Sequence, residues 1–331
     1  MAKRTREQKG LAPRALDSGP LSNELVDDLV DAGSKEHYSD AALYDHEYRR
    51  RRADVSFYRA LAKQRGAGRV LELGAGSGRV TIPLARDGHE VVAVDRSPAM
   101  LARLRARVAA LPPAVARRIT VVEGDLRDFD VPGKFPLAIA AFNVVEHLYT
   151  RGEVAAFLAR VRARLVPTGA LAFDVQMPDL AWLVRDPWKR WARTRFKDPT
   201  TGRITYYSTN HEYDPVGQIA LIRLYYEPAD GAGPIRIVKL SQRKFFPAEL
   251  EALLAYNGFR VSERYGDFGF RPLDAGAESQ VIVAILDEKM AFSDEDLAPV
   301  RSSSRNELST GIPRRGTSPR RRRRRSSTRK K

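Results

Sequence analysis

The chain has 331 residues, 43% of them hydrophobic, a formal net charge of +16 and no cysteine. This length suffices for one large core or two modest ones. Without cysteine, the chain cannot build a disulfide framework, use a thiolate nucleophile or hold an iron–sulfur cluster through cysteine. No His or Cys cluster has zinc-ligand spacing, so we expect no metal.

The positive charge lies at the two ends of the chain. Residues 314–331 hold 11 cations and no acid, residues 1–14 add a net four, and residues 15–313 therefore carry +1. We expect a flexible basic arm over residues 1–36 and a disordered Arg/Ser-rich tail over residues 294–331. The sequence leaves two interpretations of the tail open, nonspecific contact with polyanions or a solubilising extension.

The apolar runs of the sequence are short. The basic N-terminus lacks the apolar core of a secretion signal, and no apolar run approaches the roughly 18 residues that a membrane span needs. We therefore expect a cytoplasmic protein with no membrane partner.

A helical pattern over residues 39–63 precedes a strand, a glycine turn, a helix and a second strand. The apolar run Val70–Leu73 leads into glycines at 74, 76 and 78, and the apolar run Val91–Val94 ends at Asp95. This order predicts the opening unit of a doubly wound α/β domain.

The glycine spacing separates two classes of cofactor. Dinucleotide sites favour G-x-G-x-x-G, but here Arg79 stands at the third glycine position and Gly78 comes one residue early. The pattern G-x-G-x-G resembles the first motif of Rossmann-like (class I) methyltransferases that depend on S-adenosyl-L-methionine (SAM). Gly74 and Gly76 allow close backbone approach to a ligand, and Asp95 can accept hydrogen bonds from a ribose diol.

Further segments support this resemblance. It implies that Asp125 in TVVEGDLRDF binds the adenine amino group and that FNVVEH, residues 142–147, faces the transferring methyl. LYDHEY, residues 43–48, is similar to the leading segment of bacterial small-molecule methyltransferases, including amino-sugar N-methyltransferases. The cofactor-binding residues that the resemblance implies are Tyr44, Glu72, Gly74, Ala75, Gly76, Gly78, Arg79, Asp95, Arg96, Asp125, Leu126 and Asn143.

The pattern changes after the predicted fifth strand. Three runs of alternating residues predict an inserted three-stranded antiparallel sheet at about residues 196–246. The resemblance to sugar methyltransferases implies that this sheet lies over the active-site mouth. An extra sheet that serves only dimerisation is the alternative, and a homodimer stays open. A helix and two strands then complete a mostly parallel seven-stranded sheet whose strand 7 is antiparallel, within a methyltransferase domain over residues 37–290.

Methyl transfer from a sulfonium is an in-line displacement, so the enzyme mainly aligns and desolvates the nucleophile. We predict His147 and Tyr44 as catalytic residues, although His147 has the alternative of bonding only loop backbone. The predicted substrate contacts are Tyr48, His147, Arg223 and Tyr225.

The predicted function is SAM-dependent methyl transfer to a nitrogen or oxygen of a small-molecule acceptor, such as an amino sugar. FNVVEH lacks the [D/N]-P-P-[Y/F] motif of adenine N6 methylation. Two alternatives stay open: a methyltransferase acting on RNA or a ribosomal protein with the basic tails as anchors, and a non-catalytic nucleic-acid-binding protein.

Overall fold

The structure is a computed structural model that describes residues 23–287. The strands are β1 (Arg69–Leu73), β2 (Glu90–Asp95), β3 (Ile119–Glu123), β4 (Phe135–Ala140), β5 (Leu165–Gln176), β6 (Trp191–Lys197), β7 (Ile204–Asp214), β8 (Ile219–Pro228), β9 (Arg236–Arg243), β10 (Phe259–Tyr265) and β11 (Ser279–Leu286). The α-helices are α1 (Asn23–Gly33), α2 (Ala41–Tyr48), α3 (Ala53–Gln64), α4 (Thr81–Arg86), α5 (Pro98–Ala109), α6 (Pro113–Ala116), α7 (Arg151–Arg164), α8 (Leu180–Leu183) and α9 (Pro247–Tyr256). Single 3-10 turns cover Glu36–Tyr38 and Val144–His147.

Seven strands form one sheet in the order β10-β11-β5-β4-β1-β2-β3. Strand β11 runs antiparallel to both of its neighbours, and the other pairs in this sheet are parallel. The predicted fold class is thereby confirmed, including the antiparallel seventh strand. This topology places the carboxyl ends of β1, β2, β3 and β4 along one edge, where open α/β sheets bind their ligands.

The seven-stranded sheet is covered on both faces. Leu71 and Leu73 of β1 face a cluster that includes Phe157 of α7 and Leu250 of α9. Val70, on the other face, packs in a cluster with helices α3 and α4. Because both faces are buried, β1, β2 and β4 are nearly continuous apolar runs instead of alternating ones.

The inserted sheet has four strands in the order β6-β7-β8-β9, all antiparallel. The predicted three strands correspond to β7, β8 and β9, and the prediction missed β6 at the edge. Strand β6 is largely exposed and its register with β7 shifts between Trp191 and Thr194, with Ala192 at φ 56°. An exposed, irregular edge strand leaves no alternating apolar pattern for a sequence to show.

The prediction of a flexible arm through residue 36 is wrong for its last part. Helix α1 packs against β9, where the Ser241 hydroxyl donates to the Val30 carbonyl at 2.9 Å. A Cβ on Gly33 would lie 2.5 Å from the Ser241 nitrogen, so the glycine permits this close approach. The rest of the predicted arm and the predicted tail over residues 294–331 lie outside the described residues.

The helical pattern over residues 39–63 is divided between α2 and α3. Among the helices of residues 23–287, none has the length and hydropathy of a membrane-spanning segment.

Candidate active site

A cavity of about 510 Å³ lies over the carboxyl ends of β1, β2, β3 and β4. This volume falls in the usual range of small-molecule sites. The turns after these four strands form its floor and walls, and the segment between α1 and α2 forms its roof. The cavity is lined by Ser34, Lys35, Tyr38, Ser39, Tyr44, Gly74, Gly76, Asp95, Arg96, Ser97, Pro98, Ala99, Met100, Gly124, Asp125, Leu126, Arg127, Ala141, Phe142, Val144, His147 and Leu148.

The three glycines of the turn after β1 lack a side chain for different structural reasons. All three adopt positive φ, at 72° for Gly74, 56° for Gly76 and 85° for Gly78. A Cβ on Gly74 would lie 2.1 Å from Val144 Cγ2, and one on Gly78 would lie 2.4 Å from Leu104 Cδ1. At Gly76 a Cβ would meet no heavy atom within 4 Å, so this glycine leaves open space beside the cavity.

Asp95 is the last residue of β2, and its side chain is hydrogen-bonded to the glycine turn. Its carboxylate accepts hydrogen bonds from the backbone N–H of Gly76 at 2.7 Å and from that of Ser97 at 2.8 Å. Burial raises the pKa of Asp95, while the two backbone hydrogen bonds oppose the shift. The carboxylate thus lines the cavity in a fixed orientation and can accept from a ligand hydroxyl.

Asp125, after β3, lines the same cavity beside two arginines. Arg127 donates to both carboxylate oxygens at 2.7 Å, and Arg96 lies at 3.4 Å. Although burial opposes the shift, the hydrogen bonds from Arg127 lower the pKa of Asp125. This carboxylate is therefore ionised at neutral pH.

Aromatic side chains form the wall after β4 and the adjoining roof. The Tyr38 hydroxyl lies 2.6 Å from His147 Nε2, and the Tyr149 hydroxyl lies 3.0 Å from His147 Nδ1. The Tyr149 hydroxyl also lies 2.7 Å from Ser241 Oγ, which donates to the Val30 carbonyl. Since Ser241 donates onward, Tyr149 donates to Ser241 and accepts from Nδ1–H, and Nε2 then accepts from Tyr38.

This chain of hydrogen bonds fits a neutral His147. Burial, with Arg96 and His37 as further contributors, lowers the pKa of His147 to about 3. Burial also raises the pKa values of Tyr38 and Tyr44 above their ordinary value. The aromatic wall is therefore uncharged at neutral pH.

Eight of the predicted site residues line the cavity, and the others do not. The eight are Tyr44, Gly74, Gly76, Asp95, Arg96, Asp125, Leu126 and His147. Of the others, Glu72 is buried beneath the turn and accepts from Thr81 Oγ1 at 2.6 Å. Burial raises the pKa of Glu72 to about 8. Ala75 packs in an apolar cluster with Ala93 and Leu104, and Gly78 lies against Leu104.

Arg79 and Tyr48 contact the Phe142 ring of the cavity wall. Arg79 forms an ion pair with Asp54 of α3 at 2.5 Å, and its guanidinium lies 4.6 Å from the centre of the Phe142 ring. The ring of Tyr48 packs edge-on against the same Phe142 ring at 4.8 Å. Asn143 donates its backbone N–H to Asp174. These residues support the wall without lining the cavity.

Arg223 and Tyr225 share one face of β8, as the alternation predicted, but this face is turned away from α2. The opposite face carries Ile222 and Leu224, which pack with Leu43 of α2. Tyr225 donates to Asn210 Oδ1 at 3.2 Å, and Arg223 lies 3.6 Å from Glu212. The structure does not bring either residue to the cavity.

The site contains two further buried carboxylates beside the wall, which the sequence did not predict. Asp174 of β5 accepts from the backbone after β4, and Glu146 pairs with Lys244 at 2.8 Å. The signal for Asp174 was an acid inside the apolar run LAFDV, because a charged side chain is rarely buried without a partner. The roof residues Ser34 and Lys35 gave no signal, since they lie in a segment predicted to be flexible.

A doubly wound sheet, a glycine turn after its first strand and an acid after its second surround one cavity, as in nucleotide-binding α/β domains. Residues 70–169 match the family model for the "Methyltransferase domain". Residues 70–169 therefore form a domain similar to this family.

The relatives agree with this class. Putative methyltransferase YqeM of Bacillus subtilis is 32% identical over 111 residues, which are 33% of this chain and 42% of that protein. The CcbJ methyltransferase of Streptomyces caelestis has a solved structure that is 28% identical, with a TM-score of 0.60, over 71% of this chain and 94% of that one. The CalS10 amino pentose methyltransferase of Micromonospora echinaspora shares the fold, at 22% identity and a TM-score of 0.53 over 73% and 95% of the two chains. The alignment covers about half or less of the first curated relatives' own length.

Proposed function

We propose that this protein transfers a methyl group from SAM to an amine nitrogen of a small molecule. The proposal rests on the cavity, on the methyltransferase domain around it and on the uncharged wall after β4. SAM supplies a methyl group on a sulfonium leaving group, which needs no further activation.

The lining residues fit such a cofactor. Asp95 has a fixed carboxylate for a ribose diol, and Asp125 offers an ionised carboxylate for the adenine amino group. Gly76 leaves the space that a side chain would fill. In this proposal Leu126 packs against adenine, while Tyr38, Tyr44 and His147 line the end where the acceptor lies.

The wall favours nitrogen over oxygen as the atom methylated. Among the described residues that line the cavity, the carboxylates are Asp95 and Asp125, and both are assigned to the cofactor. His147 is a weak base, because its pKa is lowered to about 3 and its Nε2 lone pair already accepts from Tyr38. An alkyl hydroxyl needs a base to become a good nucleophile, whereas the free base of an amine already has a lone pair.

Within this proposal, His147 is a positioning residue. It holds the Tyr38 hydroxyl at 2.6 Å and is itself held by Tyr149. The chain of hydrogen bonds ends at the Val30 carbonyl, which cannot take up a proton. The network therefore orients the wall and does not carry a proton away.

The proposal is tested by methyl transfer from tritiated SAM with the full-length protein. Matched pairs of acceptors are compared, each an amino sugar and the same sugar with a hydroxyl in place of the amine, with total RNA as a third substrate. We expect label in the amines at a rate at least tenfold above that in the hydroxyl partners. Label that enters the hydroxyl partners or RNA in preference to every amine would overturn the choice of acceptor.

A further inference from the structure

The backbone that leaves β4 is left-handed at two consecutive residues. Phe142 has φ 68° and Asn143 has φ 59°, and neither is glycine. This region is costly for a bulky side chain, and residues persist there only when their surroundings hold them. Something outside the loop must therefore fix this conformation.

The side chain of Asp174 fixes it. Its Oδ1 accepts from the Phe142 N–H at 2.7 Å, and its Oδ2 accepts from the Asn143 N–H at 3.1 Å. The Tyr58 hydroxyl of α3 donates to the same Oδ1 at 2.6 Å. Asp174 is 2% exposed, so these three donors replace the water that a carboxylate would otherwise need.

The two left-handed residues determine the path of the cavity wall after β4. The 3-10 turn Val144–His147 follows them directly, and Val144 packs against Gly74 of the glycine turn. Ala141, Phe142, Val144, His147 and Leu148 all line the cavity. A change in the backbone at residues 142 and 143 would therefore displace the wall from the glycine turn.

We propose that Asp174 is a positioning residue for cofactor binding, which acts by holding residues 142 and 143 in the left-handed conformation. The inference rests on the proposed function, since it concerns the same cavity. A role in packing alone would make Asp174 comparable to its partner Tyr58, which touches the same carboxylate from the core. The two loop hydrogen bonds distinguish Asp174 from Tyr58.

The experiment measures the Kd of S-adenosylhomocysteine (SAH) by calorimetry on full-length protein, at a temperature where thermal melts show each variant to be folded. In Asp174→Asn, the amide group has one acceptor oxygen and an NH₂ that faces a loop N–H. We expect SAH to bind about tenfold or more weakly. Tyr58→Phe removes one hydrogen bond from the same carboxylate but leaves both loop bonds, and we expect a Kd within about threefold of wild type.

A second pair of variants leaves Asp174 intact. Asn143→Gly accepts the left-handed backbone, whereas Asn143→Ala opposes it, and both lose the same amide. We expect the glycine variant to keep its SAH affinity and the alanine variant to bind about fivefold more weakly. This pair decides the question if Asp174→Asn does not fold.

The outcomes separate the inference from the proposed function. Wild-type protein that does not bind SAH contradicts the proposed function before any variant is compared. Wild-type protein that binds, together with Asp174→Asn of unchanged Kd, overturns only the positioning role. Equal losses of SAH affinity in Asp174→Asn and Tyr58→Phe would also overturn the positioning role. Equal Kd values in the two Asn143 variants would do the same.

Discussion

The Tyr38 hydroxyl and His147 Nε2 lie 2.6 Å apart, although 109 residues separate them in the chain. Tyr38 belongs to the roof of the cavity and His147 to the wall after β4. This hydrogen bond joins the roof to the wall. It also occupies the Nε2 lone pair that a catalytic base would need.

Two histidines with lowered pKa values predict that acid destabilises the protein. Burial lowers the pKa of His147 to about 3 and that of His37 to about 4, from 6.5. Below pH 6.5 the unfolded chain therefore binds protons that the folded chain does not, and stability is lost as the pH falls. Each histidine contributes about 1.4 kcal/mol per pH unit in this window.

This prediction is checked by urea denaturation of wild type and His147→Gln at pH 7.5 and pH 5. Integrated between these values, one histidine accounts for about 2 kcal/mol, so the variant should lose about 2 kcal/mol less than wild type. The raised pKa values of Asp174 and Glu72 act in the opposite direction, but they are common to both proteins and cancel. Equal losses of unfolding free energy in the two proteins would show that His147 is not held neutral.

The ion pair between Lys244 and Glu146 predicts a double-mutant rescue. Their side chains are 2% and 0% exposed, so Lys244→Met leaves a buried carboxylate without its cation. We expect a loss of about 3–5 kcal/mol in the free energy of unfolding, and recovery of most of it in Lys244→Met/Glu146→Gln. Arg59→Met breaks the exposed pair with Asp87 and should cost below about 1 kcal/mol. A double variant no more stable than the single one would contradict this account.

The ribose assignment predicts a selective loss of affinity at Asp95. Asp95→Asn retains the shape of the side chain but removes one of its acceptor oxygens, so SAH should bind at least about tenfold more weakly. Asp87→Asn is the matched control, because Asp87 pairs with Arg59 outside the cavity. Calorimetry with SAH measures both variants. An Asp95→Asn protein of wild-type affinity would remove Asp95 from the cofactor site.

The three glycines of the turn should respond differently to alanine. Gly74→Ala and Gly78→Ala place a Cβ within 2.1 Å and 2.4 Å of Val144 and Leu104, in addition to the strain of positive φ. Gly76→Ala has the strain alone, about 1 kcal/mol. We expect thermal melts to show the larger stability losses at Gly74 and Gly78. SAH affinity should fall at Gly76, which borders the cavity. Equal melting temperatures in the three variants would contradict these contacts.

The sequence was most informative where structure depends on local pattern. The run Val70–Leu73, the glycine spacing and Asp95 lie close together in the chain. They predicted the opening unit of the sheet and the cavity residues Gly74, Gly76 and Asp95. The antiparallel direction of β11, which is confirmed, was predicted from the resemblance to Rossmann-like methyltransferases.

The residues that the sequence did not predict depend on contacts between distant segments. Alternation showed that Arg223 and Tyr225 share a face, but only the packing of Leu43 on Ile222 and Leu224 decides which face points inward. Helix α1 looked like part of a charged arm, because its partner, β9, lies about two hundred residues later in the chain.

Binding of SAM in the cavity is tested by titration calorimetry of the full-length protein with SAH and, separately, with NADH. We expect one SAH bound per chain with a Kd in the micromolar range, a binding free energy of about −8 kcal/mol, and no heat of binding with NADH. Binding of NADH without binding of SAH at concentrations up to about 1 mM would contradict it.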